Sequence, residues 1–468
     1  MRSTAIRLGV LAGLVATAAV AADEFRGLWV CPWEMNSPAA VTEVVAFARD
    51  YGFNAILFEV RYRGDALYVP HKRTDRFPNA EPRSPHLAGQ PADFDPLEEL
   101  ITQGHAAGLQ VHAWVTTFVV ANRKTPTDAG HPMREHPDWL LHAKDGDVWD
   151  PYGMAWLDAA RPEVRDYLYN VFLDIVANYA VDGLHLDYVR YPTATFGDDD
   201  DARARFRAET GRPADDDAGF AAWRRDAVTS FVSRLYAGIN AVRPECRLTA
   251  AVFAARTTTA YNDCLQDWGT WLARGSVDAV IPMAYGRKPD VIQRQVEDAA
   301  SVAAGRHVYG GILVPEVKDD AFDAAVGDEM VAKAGAVRAA GAQGIVVFSW
   351  GGLRKKDALV ARALKTQTFE AMAAAPAMPW KAAPGLTVVA LVVGGEKKYA
   401  VKVEEGAPHR YAYLLAKELS ARVPLEVNIQ DGGDRRFRVY AGAFTDRADA
   451  DELRAKLAAW GYGVKTKP

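Results

Sequence analysis

The run from Val181 to Pro192, VDGLHLDYVRYP, alternates as a β-strand does, and it brings ionisable side chains to one face. Leu184 and Leu186 share one side and suit packing on helices, so His185 and Asp187 share the other. Asp187 then stands at the C-terminal end of the strand, whereas Asp182 opens it at the opposite end. The same alternation puts Leu57, Glu59 and Arg61 on one face of an earlier strand, so that Glu59 and Arg61 are expected to reach one cleft together. A neighbouring arginine lowers a carboxyl pKa and keeps it ionised, as a nucleophile or transition-state stabiliser requires. The plainer alternative for Glu59 and Arg61 is a structural ion pair. Glu316, next to Pro315 on a later loop, is a third candidate carboxylate. Two carboxyl groups flanking a scissile bond are what glycoside hydrolysis needs, about 5–5.5 Å apart for retention and wider for inversion. Asp187 comes first among the three, followed by Glu59 and Glu316, and no pair is fixed.

Aromatic residues gather where these strands end: Trp33, Tyr62, Phe118, Tyr188, Tyr191, Tyr285 and Trp350. Sugar rings present apolar C–H faces that pack on aromatic planes, so the cluster suits a polysaccharide groove. Arg61, His112, Tyr188, Arg190, Tyr285 and Trp350 are the expected substrate contacts in it. His112 shares a face with Trp114 and Thr116, and either bonds a sugar hydroxyl or is a satisfied core histidine. No His-x-x-x-His or cysteine pair has metal-ligand spacing, and no Gly-x-Ser-x-Gly follows a strand. Neither metal nor cofactor is therefore expected. A net charge of −5 argues against a nucleic-acid partner.

The elements that must position these groups repeat. Apolar, β-branched runs at 25–31, 55–60, 110–116, 183–189, 247–253, 278–283, 307–313 and 344–348 alternate with helix-period segments. Eight strands alternating with helices predict an α/β fold, a (β/α)8 TIM-type barrel over 24–372. A doubly wound open sheet is the alternative, weakened because no Gly-rich phosphate loop follows a strand. Long connections at 62–95 and 122–161 follow strand C-termini, where barrel enzymes build clefts. A third, at 192–220, holds the acidic run Asp198–Asp201, read as a solvated helix cap in preference to a cation site.

At 468 residues the chain has room for more than one domain. Arg2 and Arg7 precede an apolar stretch at 8–20 and the small residues Ala19-Val20-Ala21, so residues 1–21 read as a cleaved signal peptide. Export, a periplasmic location and no stable membrane insertion after cleavage follow as expectations. The three cysteines fall at separate places on the barrel and are expected to be free, mostly buried thiols. The Ala/Pro-rich stretch 373–385 reads as a linker. Beyond it, 386–468 suggests a small α+β, ferredoxin-like unit. Its expected strands are 399–403, 425–429, 437–441 and one near Val464, with helices at 409–422 and 448–460.

The opening FRGLWV from Phe25, FEVR from Phe58, WLDAARPEVR from Trp156, IPMAY from Ile281 and above all Asp182 to Pro192 resemble the bacterial glycosyl-hydrolase-like family ten. The resemblance covers nearly all of 24–366 and implies a (β/α)8 barrel and an exported glycosidase acting on peptidoglycan strands that have lost their stem peptides. Residues 386–468 resemble the sporulation-related repeat (SPOR) domain, most clearly in RFRVYAGAF from Arg436, although the first half lacks a clean Val-x-x-Gly-x-Phe strand. That resemblance implies binding to denuded glycan strands, with Arg438, Tyr440 and Tyr399 as contacts, and division-site proteins as further partners. The competing readings are a non-catalytic peptidoglycan-binding protein and a glycosidase for another extracellular polysaccharide.

Overall fold

The computed structural model describes residues 23–382 apart from 125–126, 129 and 319–321, together with 387–393, 396–408, 427–431 and 436–459. In chain order the first ten strands are β1 (Phe25–Val30), β2 (Ala55–Arg61), β3 (Gln110–Thr116), β4 (Val119–Asn122), β5 (Met154–Trp156), β6 (Gly183–Asp187), β7 (Arg247–Phe253), β8 (Ala279–Met283), β9 (His307–Leu313) and β10 (Gly344–Phe348). All but β4 and β5 form one closed parallel barrel in the order β1-β10-β9-β8-β7-β6-β3-β2. Closure is direct: β1 pairs with β10 through Phe25 and Gly344, and with β2 through Gly27 and Ala55. The open-sheet alternative is excluded, and the (β/α)8 expectation holds. β4 and β5 make a small antiparallel hairpin inside the long connection that follows β3.

Local chemistry explains the surrounding helices. The helix Pro38–Asp50 begins with proline, is capped by Ser37, and buries Val41, Val44, Val45 and Ala48 along one stripe. The helix Pro162–Asn178 likewise opens on proline and buries Val164, Leu168, Val171, Phe172 and Ile175 against the barrel. Among the described residues no helix is long and apolar enough to cross a membrane.

Inside the barrel the side chains stack in layers. Phe25 and Tyr309 stack near the floor with ring centroids 4.4 Å apart, and His112 meets Phe25 edge-on at 5.4 Å. Gly183 lies opposite His112, and a Cβ there would fall 2.2 Å from His112 Nδ1, so only glycine leaves room for the imidazole. Above them Trp29 donates its indole N–H to His185 Nε2 at 3.1 Å, while His185 Nδ1 meets Thr249 Oγ1 at 2.9 Å. Burial holds His185 neutral, with its pKa down to about 3. Cys31, Cys246 and Cys264 are free and buried, as expected.

The floor is closed by part of the Ala/Pro-rich stretch. Asn54 Nδ2 donates to Ala373 O at 2.9 Å, Met378 is buried, and Trp380 Nε1 donates to Asp278 Oδ1 at 2.7 Å. Lys381 Nζ donates to Cys246 O at 2.6 Å. The segment expected to be a linker from residue 373 is thus fastened to the barrel as far as Lys381, because Trp380 and Met378 have apolar surface to bury there.

The C-terminal strands are β11 (Thr387–Val393), β12 (Glu396–Pro408), β13 (Val427–Asp431) and β14 (Arg436–Phe444), in an antiparallel sheet of order β11-β12-β14-β13. The helix Arg447–Ala459 follows. β11 was not anticipated, because TVVALVV is a continuous apolar run without alternation. The expected signal peptide, the helix at 409–422 and the strand near Val464 lie outside the described residues.

Candidate active site

At the C-terminal ends of the barrel strands lies a cleft of about 250 Å³. Its base is built from strand ends: Cys31, Glu59, Trp114, Thr116, Asp187, Met283 and Phe348. Tyr188, Arg190 and Tyr285 follow just beyond β6 and β8, and loops add Trp33, Tyr62, Arg63, Val119 and Met154. Glu59, Asp187, Tyr188, Arg190 and Tyr285 therefore meet in one place.

β3 stands between the strands that carry the two carboxylates. Glu59 is in register with Trp114, and Asp187 with Thr116, so Asp187 stands two residues further towards the strand ends than Glu59 and two strands away. Thr116 Oγ1 donates to Glu59 Oε1 at 2.6 Å. Burial raises the Glu59 pKa well above the usual carboxylate range; the threonine bond opposes this and the charge of Asp187 adds to it. Asp187 is also raised by burial, but it has an opposing cation in Arg190 and accepts the Tyr188 backbone N–H at 2.6 Å. Tyr188 adopts a left-handed φ of 50°, a costly conformation for a bulky residue. Arg190 Nη1 stands 3.5 Å from Asp187 Oδ1, and its guanidinium covers the rings of Tyr188 and Phe253 at 4.5 and 4.6 Å. Arg190 and Trp114 both turn polar side-chain atoms towards Asp187, and each opposes the rise that burial imposes on its pKa.

Several expectations need correction. The register shifts between Glu59 and Arg61, which breaks the alternation and sends Arg61 away from the cleft. Arg61 is instead buried beside Glu81, with Nη2 2.7 Å from Oε1, and it donates to the Thr116 and Thr117 carbonyls. Glu59 consequently has no arginine partner of the expected kind, and its pKa rises where a fall was expected. His112 is a core residue near the floor, with Nε2 3.3 Å from Gln110 Oε1. Trp350 is fully buried against Phe47 outside the barrel wall, because it begins a short helix after β10. Glu316 is exposed on its loop and does not line the cleft. In the C-terminal sheet Tyr440 is only 5% exposed and Tyr399 is half-buried, while the Arg438 side chain lies outside the described residues.

Trp114 and Thr116 were legible as cleft residues, since they share a strand face with His112. Arg63 carried no such signal, because no periodicity aims a loop residue.

A larger hollow, about 870 Å³, lies beside the acidic run. There Asp199 caps the helix Asp200–Thr210, Asp198 pairs with Arg203 at 2.6 Å and Asp201 with Arg161 at 2.8 Å. The run behaves as the solvated cap expected of it.

Residues 24–313 match the glycosyl hydrolase-like 10 family, and 395–465 match the SPOR domain. The chain is 24% identical over 300 residues to glycosyl hydrolase YngK of Bacillus subtilis, covering 56% of this chain and 54% of that protein. It is 24% identical over 261 residues to glycosyl hydrolase DigH of Escherichia coli K12, covering 50% and 55%. The chain thus spans about half the length of the curated relatives it matches. Among solved structures, the PgaB glycoside hydrolase domain of Bordetella bronchiseptica is 15% identical with a TM-score of 0.50, covering 73% of this chain and 98% of that one. The catalytic domain of a beta-amylase from Paenibacillus polymyxa is 12% identical with a TM-score of 0.51, covering 75% and 99%. At such identities these two show likeness of fold alone. With more than half its length matched to one family and a closed barrel beneath the motif that suggested it, the chain belongs to the glycosyl hydrolase-like 10 family and carries a SPOR domain near its C-terminus.

Proposed function

We propose that the protein is an exported glycoside hydrolase that cleaves peptidoglycan glycan strands stripped of their stem peptides, and that its SPOR domain holds it on those strands. The observation that carries this reading is the pair Glu59 and Asp187, buried in one cleft in unlike surroundings. Environments that push two carboxyl groups apart assign acid and base roles. Glu59, without a cation bonded to it, keeps its proton and gives it to the departing glycosidic oxygen. Asp187, beside Arg190 and the Tyr188 N–H, is the ionised partner that supplies an electron pair at the anomeric carbon, directly or through a water. Trp33, Tyr62 and Tyr285 offer aromatic faces for the flanking sugars. Export is supported by the charged and apolar pattern of residues 1–21, and the wall substrate by the SPOR match.

The test is release of soluble fragments from purified denuded strands. Wild type should release them, and Glu59→Gln and Asp187→Asn should each be slower by about a hundredfold or more, while still sedimenting with the glycan. Equal release by wild type and Asp187→Asn would rule out the role given to that residue. Sedimentation of wild type without any fragments would mark a binding protein, and cleavage confined to another polysaccharide would move the substrate.

A further inference from the structure

The cleft holds two arginines, and they are differently occupied. Arg190 is committed to Asp187 and to two aromatic rings. Arg63 is half-buried, and its guanidinium lies 4.0 Å over the Tyr62 ring. Among the described residues its side chain has no ion pair and no hydrogen bond, although it lines the same cleft as Glu59 and Asp187.

The position of Arg63 is built into the chain. Its φ is 61° and that of Gly64 is 79°, two successive left-handed residues in the turn that ends β2. His131 Nε2 meets the Arg63 carbonyl at 2.9 Å, and a Cβ on Gly64 would crowd His131 and Val120 at 3.1 Å. Tyr62 is in turn braced by Trp33 and His86, with ring centroids 6.0 and 5.5 Å away. The turn therefore aims one unpaired cation into an aromatic-walled groove. It lies close enough to the reacting centre for its charge to act on Glu59 and Tyr188.

A neutral polysaccharide offers such a cation nothing ionic. A peptidoglycan strand offers a carboxylate on the sugar itself only after its stem peptide is gone. While the peptide is attached, the lactyl group of the muramoyl sugar ends in an amide; once it is removed, that group ends in a free carboxylate. Guanidinium and carboxylate form charge-assisted hydrogen bonds of matching geometry. We propose that Arg63 is a specificity-determining residue that binds the free lactyl carboxylate of a muramoyl residue next to the bond being cleaved. This rests on the peptidoglycan reading above and gives it a physical cause: an attached peptide removes the charge that Arg63 reads and brings bulk against Trp33 and Tyr62.

The experiment compares the full chain, as wild type, Arg63→Gln and Arg63→Lys, on denuded strands and on the same strands with their carboxyls methyl-esterified. Esterification should lower wild-type kcat/KM by about tenfold or more, chiefly through KM. Arg63→Gln should show a similar loss on the free-acid strands, Arg63→Lys should recover part of it, and the gap between wild type and Arg63→Gln should close on the ester. An equal loss for Arg63→Gln on both glycans, or no effect of esterification on wild type, would overturn the proposal. If wild type releases nothing from either glycan, the proposed activity fails separately, and equilibrium binding decides about Arg63. A preference for free-acid over esterified oligosaccharide that disappears in Arg63→Gln supports the proposal, and an unchanged preference overturns it.

Discussion

Burial is the first cause acting on every perturbed carboxyl around the cleft, and neighbours decide what each does with it. Glu59 has a threonine hydroxyl, Asp187 an arginine and a backbone N–H. Asp65, just beyond the cleft, has neither a bonded cation nor a hydrogen-bond partner for Oδ1, and burial pushes its pKa up to about 7. The unfolded chain releases that proton near pH 3.9. Between about pH 4 and 7 the folded protein therefore holds a proton that the unfolded chain has lost, and stability falls as pH rises across that window. The full cost above pH 7 is on the order of 4 kcal/mol. Asp65→Asn should remove this part of the slope, so urea unfolding at pH 8 should find the variant more stable than wild type, with the difference shrinking towards pH 4. A constant difference at all pH values would show that Asp65 does not titrate on folding.

The end of β2 shows how an element, and not a residue, assigns roles. The shift after Glu59 leaves that carboxyl inside the barrel and turns Arg61 out to Glu81. Glu81 also accepts the Tyr167 hydroxyl at 2.6 Å, so a residue of the long β2 connection is tied both to the barrel and to the helix Pro162–Asn178. Arg61 reaches back to the Thr116 carbonyl, and Thr116 bonds Glu59. Arg61 is thus a positioning residue. Breaking a buried pair from one side leaves an uncompensated charge, and Arg61→Met should cost roughly 3–5 kcal/mol in chemical denaturation. Replacing Arg61 and Glu81 together by apolar residues should cost less than Arg61→Met alone. A double variant weaker than the single would mean that the pair contributes more than it costs to bury.

On the scale of the whole molecule, the cleft and the chain's exit occupy opposite ends of the barrel. Glu59 and Asp187 sit at the C-terminal strand ends, while residues 373–381 cross the floor. Met378 belongs to, and Trp380 packs against, the apolar cluster that contains Phe25, Ala279 and Tyr309, and Trp380 meets His307 at 4.9 Å. A chain ending at residue 385 should therefore unfold at nearly the temperature of the intact barrel. One ending at residue 372 should lose about 3 kcal/mol or more, from burial of one methionine and part of a tryptophan. Differential scanning calorimetry of the two truncations checks this, and equal barrel transitions would show that the floor segment is only a tether.

The barrel itself was legible because a period of two within strands and 3.6 between them is a local property of side-chain patterning. The eight expected strands match those observed to within two residues at either end, and Asp187 was placed correctly because β6 runs unbroken from Gly183. Legibility stopped where a residue's direction depends on another segment. Arg61 needed the shift against β3, Trp350 needed the helix after β10, and Arg63 needed a left-handed turn held by His131 from a distant loop. The floor contact of Trp380 needed Asp278, about a hundred residues away, and no spacing rule links the two. The amino-acid sequence alone determined the barrel, the domain order and the place of Asp187 at a strand end, since each follows from repeating local patterns. Only the tertiary structure decided which carboxyl shares the cleft with Asp187, which arginine there is left unpaired and what closes the floor, since burial and charge pairing are set by chain segments that meet only on folding.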